Sequence, residues 1–353
     1  MALATAASNL VLDSYEPSIA GSSSLQYKLH PSFSSNFGDV ILYAVDGVAY
    51  RMHSYTLRMA SGFFFDMFTL PQPSPPTTTE EGIHSANKLK HVPTYENSDI
   101  LTLFLTLITG IPINTPLHEW GLLSPSTPAL TDSPAITTSC FHVIDRVLRL
   151  AENWDAAGPI SYIRSGLLSP EMVDRNPLRV YAIASHFGWD HERNIAAQYT
   201  LKLDLFLASD IQTQENLERL ASKDIMSLFR LRYRRKEELR ELLEDPDRFS
   251  VGNTENSLCA KCKETPLDNK TWRLLKEAMI MEIDRRPLGD SIIGFDVGGI
   301  GGEDFVGGIL AWPEAQACFA ATCVKEECGG LNYDQCATLK EIQDCVDTLS
   351  WDL

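Results

Sequence analysis

Between Phe37 and Phe68 the chain reads FGDVILYAVDGVAYRMHSYTLRMASGFFFDMF, and the period of its apolar positions changes along the way. Val40, Leu42 and Ala44 interleave with Ile41, Tyr43 and Val45 in a near-continuous apolar run, the pattern of a strand buried on both faces. Asp46-Gly47 is a turn signal, because Gly tolerates positive φ and Asp hydrogen-bonds locally. Val48 to Met52 then reads as the returning strand. Beyond it Leu57, Phe64, Met67 and Phe68 recur at helical intervals. The predicted order is strand, turn, strand, helices.

The helical signal stops at PQPSPPTTTEEG, where Pro71, Pro73, Pro75 and Pro76 remove amide donors. A short extended piece is predicted around Lys90 to Tyr95. Ser98 or Asp99 then caps a helix through Ile108 that is apolar nearly all round and therefore buried. Residues 111–138 turn to Pro, Ser and Thr and read as a surface insertion. Ile144, Val147, Leu148 and Ala151 restore helical spacing. Asn176-Pro177 opens a further helix that Gly188 stops, Asp190 caps the next, and another runs from about Asp224 to Leu243. Residues 1–36, rich in Ser and Ala, read as a flexible leader. From Asp245 onward the periodicity fades. The Gly-rich run of residues 288–310 fails as a phosphate loop: Gly299 and Gly301 lack a third glycine at Asp304, and Glu303 and Asp304 repel phosphate.

Charge narrows the partners. The 353 residues carry a formal net charge of -17, of which residues 251–353 supply -9 with 9 Lys+Arg against 18 Asp+Glu. Nucleic acid and anionic membrane, which need a basic face, are disfavoured. The leading MALATAASNLVLDSYEPSIAGSSS lacks the basic and apolar regions of a secretory signal, and no stretch is apolar enough to span a bilayer. The expectation is a soluble protein, cytoplasmic and/or nuclear, whose 8 cysteines are reduced.

The Phe37 to Phe68 string resembles the BTB/POZ family: Asp39 with Val40 opening the first strand, Tyr50 three before His53, then Leu57, Ser61, Phe64 and Met67-Phe68. NPLRVYAIASHFGWDHERNIAAQYTL is similar to BTB proteins of the fungal type. The resemblance implies an α+β interaction module, a small sheet surrounded by helices, at residues 37–166 with the insertion near 111–138. A helical extension over 167–246 and an irregular, acidic, Gly- and Cys-containing region over 247–353 follow. It implies a non-enzymatic adaptor that forms a homodimer and recruits other proteins. Asp39, His53, Leu57, Ser61, Phe64 and Met67 are then structural, with the His53 ring satisfying nearby backbone, while Phe63, Phe65 and Phe68 supply interaction surface. A role with a cullin-type ubiquitin ligase is also implied. Here the chain departs from the pattern, with Thr69-Leu-Pro-Gln-Pro73 standing where an acidic recruiting motif belongs.

No nucleophile, base and orienter assemble in the sequence, so no catalytic residue and no cofactor is assigned. His191-Glu192 has Ile195 where a second metal-binding histidine would stand. Cys259-x-x-Cys262 has the spacing of a zinc knuckle. Cys318, Cys323, Cys328, Cys336 and Cys345 offer no second close pair, and no histidine follows His191, so reduced thiols without metal are expected. The alternative is a regulatory protein with a zinc-stabilised C-terminal region. Arg230, Arg232, Arg234, Arg235 and Lys236, followed by Glu237, Glu238, Glu241 and Glu244, read as a solvated helix face, with a nuclear-import patch as the alternative.

Overall fold

The computed structural model describes residues 27–70, 89–122, 140–205, 211–254, 257–296, 305–306 and 308–353. It is α+β, with a small four-stranded sheet and many helices. Its contacts divide into two units, residues 1–110 with 153–156, and residues 111–152 with 157–353. The sequence-based boundaries at 166 and 246 both fall inside the second unit.

In the first unit β1 (Lys28–Ser34), β2 (Val40–Tyr43), β3 (Val48–Met52) and β4 (Lys90–Pro93) form one sheet in the order β1-β3-β2-β4. The β2–β3 pair is antiparallel, Val40 facing Met52 and Tyr43 facing Ala49, and the turn between them has Gly47 at φ 84°. The outer pairs are parallel. β2 is less evenly buried than its sequence suggested: Val40 and Leu42 are fully buried, whereas Ile41 and Tyr43 are half-buried. β1 lies within the expected leader, of which residues 1–26 fall outside the described residues. Its anchors are Phe33, buried beside Tyr50 at 5.7 Å, and His30, stacked on Tyr50 at 5.2 Å.

α1 (Ser54–Ala60), α2 (Gly62–Thr69) and α3 (Ser98–Thr109) complete this unit. Leu57 of α1, Phe64 of α2 and Leu101, Phe104 and Leu105 of α3 are fully buried, as the all-round apolar pattern of α3 requires. Trp154 joins them, its ring 4.9 Å from Phe64 and 5.1 Å from Phe104. The proline run of residues 71–76 lies outside the described residues.

The second unit opens with a 3₁₀ turn, Leu117–Leu122, inside the segment read as a surface insertion. Trp120 of this turn is fully buried and stacks on Tyr162 at 6.1 Å. Prolines on either side mask one bulky aromatic that has nowhere else to go. Residues 123–138 lie outside the described residues. Then follow α4 (Cys140–Asn153), α5 (Ala157–Gly166), α6 (Pro170–Arg175), α7 (Pro177–His186), α8 (Asp190–Thr200), α9 (Ile211–Glu218) and α10 (Ser222–Glu244). The start of α7 is as its sequence reads: the Asn176 side chain accepts from the Arg179 amide at 3.1 Å, with Pro177 in the first turn. Gly188, at φ 66°, separates α7 from α8.

The region expected to be irregular contains several helices beside irregular segments. It contains α11 (Ser250–Asn253), α12 (Lys270–Arg285), α13 (Asp290–Ile293), a two-stranded β5 (Phe295–Asp296) and β6 (Phe305–Val306), α14 (Pro313–Phe319) and α15 (Gln335–Thr348). Trp272, Leu275, Met279 and Ile283 of α12 lie on one stripe and pack with Leu239 and Leu243 of α10, Phe319 of α14 and Ile342 and Val346 of α15. Residues 297–304 of the Gly-rich run lie outside the described residues. Among the described residues no helix is long and apolar enough to cross a membrane.

Candidate metal centre

The cysteines separate into distinct environments. Cys318 and Cys345 pack as hydrophobic residues in the α10–α12–α15 core, where burial raises each thiol to about 11. Cys140 is half-buried at the start of α4, and Cys336 is exposed. The remaining four, Cys259, Cys262, Cys323 and Cys328, bring their sulfurs within 4.8 Å of one another.

Two short hairpins carry them. The first is closed by a bridge between Leu258 and Pro266 and the second by one between Thr322 and Leu331. The Cys259 amide donates to the Thr265 carbonyl at 2.9 Å, and the Lys263 amide to the Cys259 carbonyl at 2.8 Å, which winds Cys259-x-x-Cys262 into a knuckle with Lys263 at φ 56°. In the second hairpin the Cys323 amide donates to the Gly330 carbonyl at 2.8 Å. Gly330 stands so close that a Cβ there would meet the Cys259 Sγ at 3.3 Å and the Lys261 Cβ at 2.8 Å. The Lys261 ammonium donates to the Cys328 carbonyl, tying the hairpins together.

Across the hairpins the Sγ atoms of Cys259 and Cys328 are 3.7 Å apart, and those of Cys262 and Cys323 are 3.9 Å apart. All four are free cysteines, and three of them are buried. Backbone amides face the knuckle sulfurs: those of Cys262 and Lys261 hold the Cys259 thiol below its ordinary value. The Thr265 side chain and the Glu264 amide bring Cys262 down to about 6. The Gly330 amide favours the Cys328 thiolate, but burial and the three neighbouring thiols outweigh it and raise that thiol to about 11. Chemically the cluster is a compact set of soft sulfur donors, the knuckle pair shifted toward the thiolate by its surroundings.

Cys323 and Cys328, whose spacing in the sequence is not that of a close pair, nevertheless lie beside Cys259 and Cys262 in space. Cys323-x4-Cys328 is wider than a knuckle, yet its hairpin turns back through Gly329, at φ 56°, and Gly330, and so delivers both sulfurs. That Gly-Gly after Cys328 is the signal that distinguishes this pair from Cys318, Cys336 and Cys345.

The other residues singled out in the sequence lie in the first unit or on helices. Asp39 accepts from the Ser54 amide at 2.7 Å and its hydroxyl at 2.6 Å, joining β2 to α1. Ser61 caps α2 by accepting from the Phe64 amide at 3.3 Å, and its hydroxyl donates to the Trp154 carbonyl. Leu57 and Phe64 are core residues and Met67 is half-buried. His53 precedes α1 and is exposed, with no side-chain cap bond, so Asp39 takes the anchoring role expected of its ring. Phe63 and Phe65 are exposed, and Phe68 is half-buried beneath the Lys90 ammonium at 4.6 Å. Glu192 is committed to Arg164, at 2.6 and 3.1 Å.

The basic run on α10 is not a uniformly solvated face. Arg230 and Arg234 are exposed, but Arg232 and Arg235 are buried on the same stripe as Leu228, Leu231 and Leu239. Arg235 donates to the carbonyls of Pro287 (2.7 Å), Leu288 (3.3 Å), Leu349 (3.1 Å) and Ser350 (2.6 Å), beneath the Trp351 ring at 4.6 Å. Arg232 donates to the carbonyls of Thr200 (2.6 Å) and Leu203 (2.7 Å). Burial lowers both guanidinium groups to about 10, still charged at neutral pH.

Compared with known proteins, the chain matches no family model and no curated protein.

Proposed function

We propose that this protein is a non-enzymatic interaction adaptor of the BTB/POZ type, whose first unit pairs with a second copy of the chain and presents a surface for further protein partners. The observation that carries this reading is how the Phe37 to Phe68 string divides in the first unit. Leu57, Ser61 and Phe64 face inward and Asp39 ties β2 to α1. Their apolar neighbours in sequence, Tyr55 and Met59 on α1 and Phe63 and Phe65 on α2, stay exposed, Tyr55 at 72% and Met59 at 71%. Large apolar side chains left outside by two adjoining helices are the raw material of a protein interface. The net charge of -17 favours protein over nucleic acid or anionic lipid as partner.

Light scattering on the full chain, coupled to size exclusion, tests the pairing. A dimeric mass is expected at micromolar concentration, and Phe65→Asp should shift it to monomer, because an uncompensated charge in an interface costs about 3 kcal/mol or more. A monomeric mass throughout the accessible concentration range removes the homodimer from this reading.

A further inference from the structure

We infer that Cys259, Cys262, Cys323 and Cys328 together bind one zinc ion as thiolates, in a closed structural site that fastens the segment before α12 to the segment after α14. The inference is independent of the adaptor reading. Its first support is metric. Four sulfurs held about 2.3 Å from one central ion in tetrahedral array stand about 3.8 Å from each other. The two separations measured across the hairpins are 3.7 and 3.9 Å, and no member of the set strays beyond 4.8 Å from another. Two disulfides would need sulfurs about 2.05 Å apart. A polynuclear iron–sulfur cluster places metal and sulfide between its cysteines and spreads the thiolates beyond this spacing. One ion fits.

The second support is what surrounds the sulfurs. Buried cysteines ordinarily sit among apolar side chains, as Cys318 and Cys345 do here. These four form a separate cluster whose only other apolar member among the described residues is Leu267. A nucleus made of thiols and one leucine has too little apolar surface to hold two hairpins closed, which is the circumstance in which small folds use a metal. The hairpins are shaped for it: amides of Lys261 and Cys262 point at one knuckle sulfur, and the missing side chain of Gly330 lets the second hairpin close onto Cys259.

The donor set selects the metal. Thiolates exclude magnesium and calcium, which take oxygen ligands. Between iron and zinc in a four-thiolate site, affinity follows the order that puts zinc above ferrous iron. Four protein ligands fill a tetrahedron and leave no position for substrate or activated water, so the ion's work is structural. On binding, each sulfur that still carries a proton gives it up to solvent as its lone pair joins the metal, with no change of oxidation state.

Metal analysis of the purified full chain, with mass spectrometry of its thiols, is the test. Close to one zinc per chain is expected, with no disulfide among these four residues. Exchange for cobalt(II) should give sulfur-to-metal charge-transfer absorption and the strong visible bands of a tetrahedral thiolate site. The Cys259→Ser, Cys262→Ser double variant should lose the ion, while Cys336→Ser, at an exposed cysteine outside the cluster, should keep it. Should the double variant not fold, the cobalt spectrum and thiol count of the unaltered protein still decide. Absence of zinc together with no cobalt spectrum, iron in its place, paired disulfides, or zinc retained by the double variant would each overturn the assignment.

Discussion

A guanidinium inside a protein is costly to leave without acceptors, and Arg235 shows how far one residue can organise its surroundings. Its donors reach carbonyls from two separate segments, Pro287 and Leu288 on one side and Leu349 and Ser350 on the other. One turn further along α10, Glu238 accepts from the Ser350 amide at 2.8 Å and its hydroxyl at 2.5 Å. The planar fork is the reason the residue is arginine. A lysine offers three donors from a single point and cannot span carbonyls on both sides. Arg235→Ala, which strands these carbonyls in a buried site, is expected to lower stability by about 3 kcal/mol or more, and Arg235→Lys should restore only part of that loss. Urea unfolding measures both. A loss below about 1 kcal/mol for the alanine variant would mean that water replaces the guanidinium without penalty. Read along the sequence, the same arginine sits among other basic residues and is indistinguishable from Arg234, which is exposed. Only its place on the Leu228, Leu231, Leu239 stripe separates them.

At the scale of elements, the join between β2 and α1 rests on a carboxylate. Burial alone would raise the pKa of Asp39, but the Ser54 hydroxyl and amide, with the neighbouring His53, hold it below the ordinary carboxylate value. Because the folded value is the depressed one, this contribution is full above the unfolded pKa of about 3.9 and is lost as pH falls through the folded value. Asp39→Asn should therefore be less stable than the parent at neutral pH. Its melting temperature should also fall less steeply with acid below about pH 4. Equal acid slopes in the two proteins would assign the sensitivity to other carboxylates. Elements of this kind were legible in sequence where local chemistry and burial agree: the Asp46-Gly47 hairpin, the all-apolar α3, Asn176-Pro177 opening α7, and the span of α10. They were illegible where long-range pairing decides. β1 is a strand only because β3 lies alongside it, and Trp120 is core only because Tyr162 receives it. α12 carries a regular stripe, Trp272, Leu275, Met279 and Ile283, that the acidic and Gly-rich sequence around it obscured. Half of the cysteine site, Cys259-x-x-Cys262, is a local pattern. The other half exists only when the second hairpin folds back, some sixty residues later.

For the molecule as a whole, its two units carry separate apolar cores, one around Leu57, Phe64 and Leu101 to Leu105, the other including the α10, α12, α14 and α15 cluster. Loss of the ion should therefore be felt unevenly. One cysteine hairpin precedes α12 and the other follows α14, so removing zinc releases both ends of the segment that packs against Leu239 and Leu243 of α10. Hydrogen exchange read peptide by peptide, before and after chelation of the full chain, makes the distinction. Protection is expected to fall first in residues 257–267 and 321–332 and then through α12 and α14, with the amides of α3 unchanged, because opening is local when a foldon has its own core. Equal loss of protection in α3 and α12 would show that the two units unfold as one cooperative body. Unchanged protection in the hairpins would show that their hydrogen bonds, and not the metal, keep them closed.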